Sequence, residues 1–281
     1  PTQTSEPIAR ALKEHNLTIP GISLYEENYT EDEIIDRKTG LQKRIRPYDV
    51  VHGKLTNGLK SIDPAIGKLE NLEYLFVAPD ELANLKSLTD VEVYNCPKMT
   101  QFPMVLAKLP EMISLNISNN SQWSAEEVYK GLNAIANGPA KEKLQILYVR
   151  DNNLREVPES FRNFKKIGLL DLAQNQIGTI HPFGKEVAPA QLYLDNNKLT
   201  SLPADGNGLF CTMDDVETFS ATYNKFTKFP NIFSAKSKFT IKSVDFSYNE
   251  IDGFEGEEDG TFKGLNIEQL SLAANKFTKF P

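Results

Sequence analysis

Along the last two-thirds of the chain one phrase recurs: apolar, x, apolar, x, x, Asn, x, apolar. It reads Leu147-Tyr148-Val149-Arg150-Asp151-Asn152-Asn153-Leu154, then runs from Leu170 to Ile177 around Asn175 and from Leu192 to Leu199 around Asn197. It returns around Asn224, Asn249 and Asn275, each time with the Asn three residues after the second apolar position. The alternating start has the period of a short strand, whose side chains point to opposite faces in turn. Apolar or proline markers at Leu72, Leu88, Met112, Leu144, Ile167, Pro189, Val216, Ile241 and Ile267 open nine such units, and a degenerate unit precedes them around Asn57 to Ile62. Self-similarity at a period of about 20–30 residues predicts a stacked solenoid, in which each unit covers the apolar stripe of its neighbour.

The second half of each unit is also patterned. After Leu154 come Val157-Pro158, then Phe161, Phe164 and Ile167 at three-residue steps, and Pro103, Leu106, Leu109 and Met112 keep the same spacing. Three-residue steps suit a 3₁₀ or loose helical return. The expected architecture is an α/β solenoid, curved and right-handed, with a parallel concave sheet of about nine strands and a convex side of loops, 3₁₀ turns and one α-helix. The Asn positions explain themselves physically. An Asn side chain offers one carbonyl acceptor and two N–H donors, enough to satisfy backbone groups in two successive turns. The ladder of Asn120, Asn152, Asn175, Asn197, Asn224, Asn249 and Asn275 is therefore read as structural, with Cys96 taking the same place one unit earlier as a small buried thiol.

On these residues the chain resembles the leucine-rich repeat proteins from about Leu55 to Pro281, and Pro64-Ala65-Ile66-Gly67-Lys68-Leu69-Glu70-Asn71-Leu72 looks like the return segment of that family's plant-like and bacterial types. Among subfamilies it is similar to bacterial surface proteins of the internalin-like kind. The resemblance implies a non-enzymatic module that recognises a ligand on its concave face.

Departures from the repeat mark individual units. The shortest spacing, Leu72 to Leu88, leaves almost no return, so the stack is expected to bend there. The longest, Met112 to Leu144, carries a helix: Ser124 caps it, Glu127 completes a capping box, and Val128, Leu132 and Ile135 share one face. Asn137-Gly138-Pro139 is expected to stop it with Gly138 in the left-handed conformation. Residues 1–50 break the period and read as a partly helical N-terminal capping region, with a remnant of an upstream domain as the alternative. The array then spans 51–281. Asn275 to Pro281 repeats Asn224 to Pro230 residue for residue and then stops, so the array is expected to be a piece of a longer protein whose last turn exposes Leu270, Leu272, Phe277 and Phe280. The acidic loop Glu255 to Gly260 lacks the fixed carboxylate offsets of a calcium loop and reads as solvated.

Composition narrows the function. The chain has 281 residues, 40% hydrophobic and 25% charged, with a net charge of −7. Nucleic acid demands a basic stripe to displace counterions, which this balance does not offer, and no run approaches the ~18 apolar residues of a membrane span. His15, His52 and His181 are scattered, two distant cysteines form no framework, and no His-Glu-x-x-His, Gly-x-Ser-x-Gly or phosphate-loop motif occurs. Catalytic residues, metals and cofactors are therefore not expected. Sequons at Asn16, Asn28, Asn116 and Asn119 are cheap matches in an Asn- and Ser-rich repeat.

Residues flanking and between the inward apolar positions should face the concave side. The early and middle units place Tyr74, Phe76, Glu92, Tyr94, Tyr148, Arg150, Asp171, Tyr193 and Asp195 there, whereas the last three place mostly Ser and Thr. Tyr and Arg give large rigid contacts with polar tips, as binding hot spots do. The same tyrosines also favour strands for packing alone, and both readings stand. The expected partner is a protein or glycan, met outside a bacterial cell or on its surface. An intracellular scaffold positioning a partner for another domain is the alternative, and a cytoplasmic location follows if the full gene carries no leader.

Overall fold

The computed structural model describes residues 74–75, 88–97, 99–183, 187, 189–203, 216–230, 232, 241–255 and 267–278. The expected N-terminal cap, the bend after Leu72, most of the acidic loop, and Phe280 lie outside these residues. Among the described residues thirteen strands follow in order: β1 (Tyr74–Leu75), β2 (Asp90–Glu92), β3 (Ser114–Asn116), β4 (Ile146–Tyr148), β5 (Glu156–Val157), β6 (Leu169–Asp171), β7 (Thr179–Ile180), β8 (Gln191–Tyr193), β9 (Thr218–Ser220), β10 (Lys228–Phe229), β11 (Ile241–Asp245), β12 (Gly253–Phe254) and β13 (Ile267–Ser271). Nine of them form one parallel sheet in the order β1-β2-β3-β4-β6-β8-β9-β11-β13, one strand per unit, as the phrase predicts. The convex side is more ordered than expected, because β5 pairs with β7 and β10 with β12 in two further parallel ladders.

Register puts like with like. Val91, Leu115, Leu147, Leu170, Leu192, Phe219, Val244 and Leu270 align across the sheet. From Val91 to Val244 these inward residues are at most 1% exposed. Val93, Ile117, Val149, Leu172, Leu194, Ala221 and Phe246, two residues further on in each unit, are wholly buried. The two rows trade bulk: after β9's Phe219 comes small Ala221, whereas after β11's Val244 comes large Phe246. Phe226 and Phe229 join Phe246 with ring centroids 5.1 and 5.2 Å away, which explains how phenylalanine replaces leucine in these units. On β13, Leu270 is 40% exposed.

One residue before each ladder position the backbone turns left-handed, at Asn95, Asn119, Asp151, Gln174, Asn196, Tyr223, Tyr248 and Ala274. This single turn ends the strand and swings the next side chain inward. There the ladder forms as its chemistry requires. Asn175 Oδ1 accepts from the N–H groups of Asn152 and Leu154 at 3.0 and 3.1 Å. Its Nδ2 donates to Val149 O at 2.7 Å in the preceding unit and to Leu172 O at 3.0 Å in its own. Asn197, Asn224, Asn249 and Asn275 repeat both directions of this link. Cys96 closes the series: its N–H donates to Asn120 Oδ1 at 2.8 Å, and burial pushes its thiol up to about 11, away from any nucleophilic role.

Helix α1 (Ala125–Asn137) fills the longest unit and packs between the 3₁₀ turns Met104–Lys108 and Glu159–Asn163. Both capping-box bonds form, Glu127 N–H to Ser124 Oγ and Ser124 N–H to Glu127 Oε2, each 3.2 Å. Val128, Leu132 and Ile135 are buried as expected. Gly138 corrects the sequence reading. Its φ of −83° is not left-handed, and it is needed because a Cβ there would sit 2.3 Å from the Ala107 carbonyl oxygen.

Two substitutions test this packing. Asn175→Ala orphans buried groups in two turns and should lower unfolding free energy by about 1–3 kcal/mol in urea titrations. A change under about 0.5 kcal/mol, the ordinary surface value, would contradict the ladder. Gly131→Ala sets two effects against each other. Alanine gains ~1 kcal/mol of helix propensity, but its Cβ would lie 2.2 Å from the Phe102 ring, and overpacking costs about 1–3 kcal/mol. Phe102 is already held edge-on to buried Trp123 at 5.2 Å, so net destabilisation is expected, and a stabilised variant would show that this contact yields.

Candidate functional site on the concave face

The side chains left outside the core alternate with the buried rows along each strand. In the units of β2 to β6 the strand geometry brings Tyr94, Tyr148, Arg150 and Asp171 around one open depression of about 340 Å³, together with Asn116, Ser118, Asn119 and Gln174. Four successive units contribute to it. The first four residues are among those expected from the sequence. The last four were passed over, and two of them, Asn119 and Gln174, sit on the left-handed row. The signal available was positional: the residue before each ladder Asn turns outward.

Several polar groups here are tied to one another or to the backbone. Tyr94 Oη accepts from Asn119 Nδ2 at 2.6 Å. Arg150 Nη1 donates to Asp171 Oδ2 at 2.9 Å, with 39% of the arginine side chain and 7% of the aspartate side chain exposed. Asp171, expected on the surface, is thus buried; its Oδ1 accepts from the N–H of Ala173 at 3.0 Å. Asn116 and Asp245 receive the N–H two residues ahead in the same way. Where that position is Tyr148 or Ser220, the preceding unit supplies the acceptor. The N–H of Arg150 donates to Ser118 Oγ at 3.1 Å. Asp195 Oδ1 takes three donors from the next unit: Ser220 Oγ, Thr222 N–H at 2.8 Å and Thr222 Oγ1 at 2.7 Å.

Tyr193 continues the aromatic series, half-buried, with its hydroxyl donating to Gln191 Oε1 at 3.3 Å. Partial desolvation, then the nearby carboxylates of Asp171 and Asp195 and the Tyr148 phenol, raise it above the ordinary tyrosine value. It therefore presents a neutral hydroxyl at physiological pH. Glu92 is half-exposed on β2, beside this group but not lining the depression. Phe76 and the Tyr74 side chain lie outside the described residues. Among the described residues, no set of three or more His, Cys, Asp or Glu side chains is arranged to hold a metal.

Comparison with known proteins agrees with the repeat. A family profile described as Leucine Rich Repeat matches residues 143–164, the unit that contains β4 and its 3₁₀ return. Human lumican is 27% identical over 192 residues, which cover 63% of this chain and 53% of lumican. The crystal structure of a leucine-rich repeat protein from Bacteroides eggerthii superposes with a TM-score of 0.68 at 33% identity, covering 91% of this chain and 48% of that one. The chain thus spans about half the length of these relatives. An internalin from Listeria monocytogenes shares the fold alone, with 15% identity, a TM-score of 0.54, and coverage of 78% of this chain and 66% of its own. With a nine-stranded parallel sheet, an asparagine ladder and these relatives in agreement, the chain belongs to the leucine-rich repeat family.

Proposed function

We propose that this chain is a non-enzymatic recognition module that binds an extended segment of a protein ligand across the concave face from β2 to β8. The observation that carries the reading is the convergence of Tyr94 from one unit and Tyr148 and Arg150 from another on one open depression. Tyr193, with its neutral hydroxyl, extends the group by two units. Five strands at ~4.8 Å spacing span about 19 Å, the reach of roughly six residues of extended chain at ~3.3 Å each. A single sugar ring would fill a small part of that length. Glu92, Asp171 and Asp195 set the local charge, and the Arg150–Asp171 pair leaves part of the guanidinium open to a partner carbonyl or carboxylate.

The proposal includes the organisation and the location. Residues 1–50 cap the array, residues 51–281 form it, and the module acts at a bacterial cell surface or after secretion. The likeness to bacterial leucine-rich repeat proteins supports the bacterial setting. Among the described residues no helix is long and apolar enough to cross a membrane. Fractionating cells that express the full reading frame tests the location directly.

Binding is tested by selecting a random-peptide display library on the immobilised full chain. Tyr148→Ala and Tyr94→Ala should each weaken the selected peptides by about 1–3 kcal/mol, the range for truncated hot-spot tyrosines, with little loss of stability. Ser243→Ala, on β11 beyond the patch, should leave affinity unchanged. Equal losses at all three positions, or unfolding of the tyrosine variants, would place the tyrosines in packing and the contact elsewhere. Thr222 and Ser247 are poor controls despite their chemistry, because their hydroxyls tie units together through Asp195 and Ser271.

A further inference from the structure

A second aromatic feature stands apart from the depression. Tyr223 and Tyr248 occupy the left-handed row in consecutive units, with φ of 53° and 58°. Their rings are parallel to within 6°, with centroids 4.3 Å apart, and the two residues are 54% and 51% exposed. Bulky side chains are disfavoured in this backbone region, which Asn and Asp enter most readily, and other units indeed place Asn95, Asn119, Asp151 or Asn196 here. The fold does not ask for tyrosine. Asn224 and Asn249 make the usual ladder bonds, to Leu194 O and Ala221 O at 2.9 Å each, whatever side chain precedes them. Two strained, exposed rings retained side by side point to a ligand.

Their surroundings say which kind. Each ring gives one face to its mate, so exposure near one half leaves the other face and the edges in water. Beyond Tyr248 the row continues with exposed Ala274, whose methyl leaves the space of a third ring open. Among the described residues the other exposed large apolar side chains are Met104, on a convex 3₁₀ turn, and Leu270, on β13. Aromatic side chains carry about 150–250 Å² each, so two half-open rings offer roughly 200 Å² of platform, far below the ~800 Å² per partner of a standard protein interface. One or two sugar rings match it. The rim supplies groups for hydroxyls: Lys225 and the exposed Lys276–Glu250 ion pair, 2.6 Å long, occupy the positions just past the ladder.

We propose that the Tyr223–Tyr248 pair is a stacking platform for a neutral pyranose glycan, at a site separate from the concave depression. The polarised C–H bonds on one face of a pyranose meet the electron-rich ring face, while its hydroxyls reach Lys225, Glu250 and Lys276. A polyanionic glycan is disfavoured, because a net charge of −7 repels it. Desolvation, then the neighbouring Tyr248 hydroxyl, raises the Tyr223 phenol above the ordinary value.

Affinity electrophoresis of the full chain through gels containing hydroxyethylcellulose, laminarin or galactomannan tests the proposal. At least one polysaccharide should retard the wild type. Tyr248→Ala and Tyr248→Asn should each lose about tenfold in affinity, the loss of one stacked anchor. Tyr248→Phe, which keeps the ring, and Tyr148→Ala, in the other site, should bind like wild type. Tyr248→Asn places a residue suited to the left-handed turn, so its melting temperature should stay within about 4 °C of wild type, and lost retardation then reports the ring alone. Absence of retardation in all three gels, unchanged retardation of Tyr248→Ala, or a loss in Tyr148→Ala as large would overturn the proposal. So would display-selected peptides that depend on Tyr248 in place of glycans.

Discussion

From Asn175 to Asn275 each unit of this solenoid hangs on one amide side chain. The asparagine after the left-handed turn takes a backbone N–H from the unit before it and returns its own N–H groups to carbonyls in both units. Without it those peptide groups would be buried and unpaired, and neither water nor a neighbouring strand could replace it. The constraint propagates outward. The asparagine needs the left-handed residue to swing it inward, the turn ends the strand, and the strand's alternation then decides which side chains are core and which are surface. Chain length matters little under such rules, because each unit answers only to its neighbours.

The surface left over serves two ends at once. Asp171, Asn116 and Asp245 accept the peptide N–H two residues ahead, and Asp195 and Ser118 bridge to adjoining units. These polar groups keep the strand ends satisfied and so hold the face rigid. The tyrosines between them are not needed for that accounting. At Tyr148 the aspartate or asparagine of other units is absent, and the bond it would have made is relocated to Ser118. Aromatic contact area is thus introduced at the expense of a local hydrogen bond, on a scaffold stiff enough to present it without further ordering. The Tyr223–Tyr248 pair follows the same logic on the left-handed row, where strain replaces the missing amide preference.

Much of this was legible because the repeat is periodic. The strand phrase located all nine strands, the ladder asparagines announced their bonding through their capacity alone, and Ser124 with Glu127 marked the start of the helix. Local chemistry sufficed for each. Long-range contacts did not announce themselves. Gly138 looked like a left-handed stop, but the Ala107 carbonyl, a whole turn of the solenoid away, is what excludes a side chain there. Asp171 looked like a surface carboxylate until Arg150 from the unit before covered it. Tyr223 and Tyr248 drew no reading from the sequence, since period-two reasoning ends at the strand and does not say where the turning residue points. The convex ladders β5–β7 and β10–β12 escaped for the same reason: two-residue strands carry no period.

The central claim, that recognition belongs to the concave face between β2 and β8, is tested most directly by amide hydrogen exchange on the full chain with and without a display-selected peptide. The account predicts slower exchange in the segments around Tyr94, Asn119, Tyr148, Arg150 and Tyr193 when peptide is bound, with the β11 and β13 units unchanged. Protection confined to the convex side, or spread evenly over all units, would contradict it.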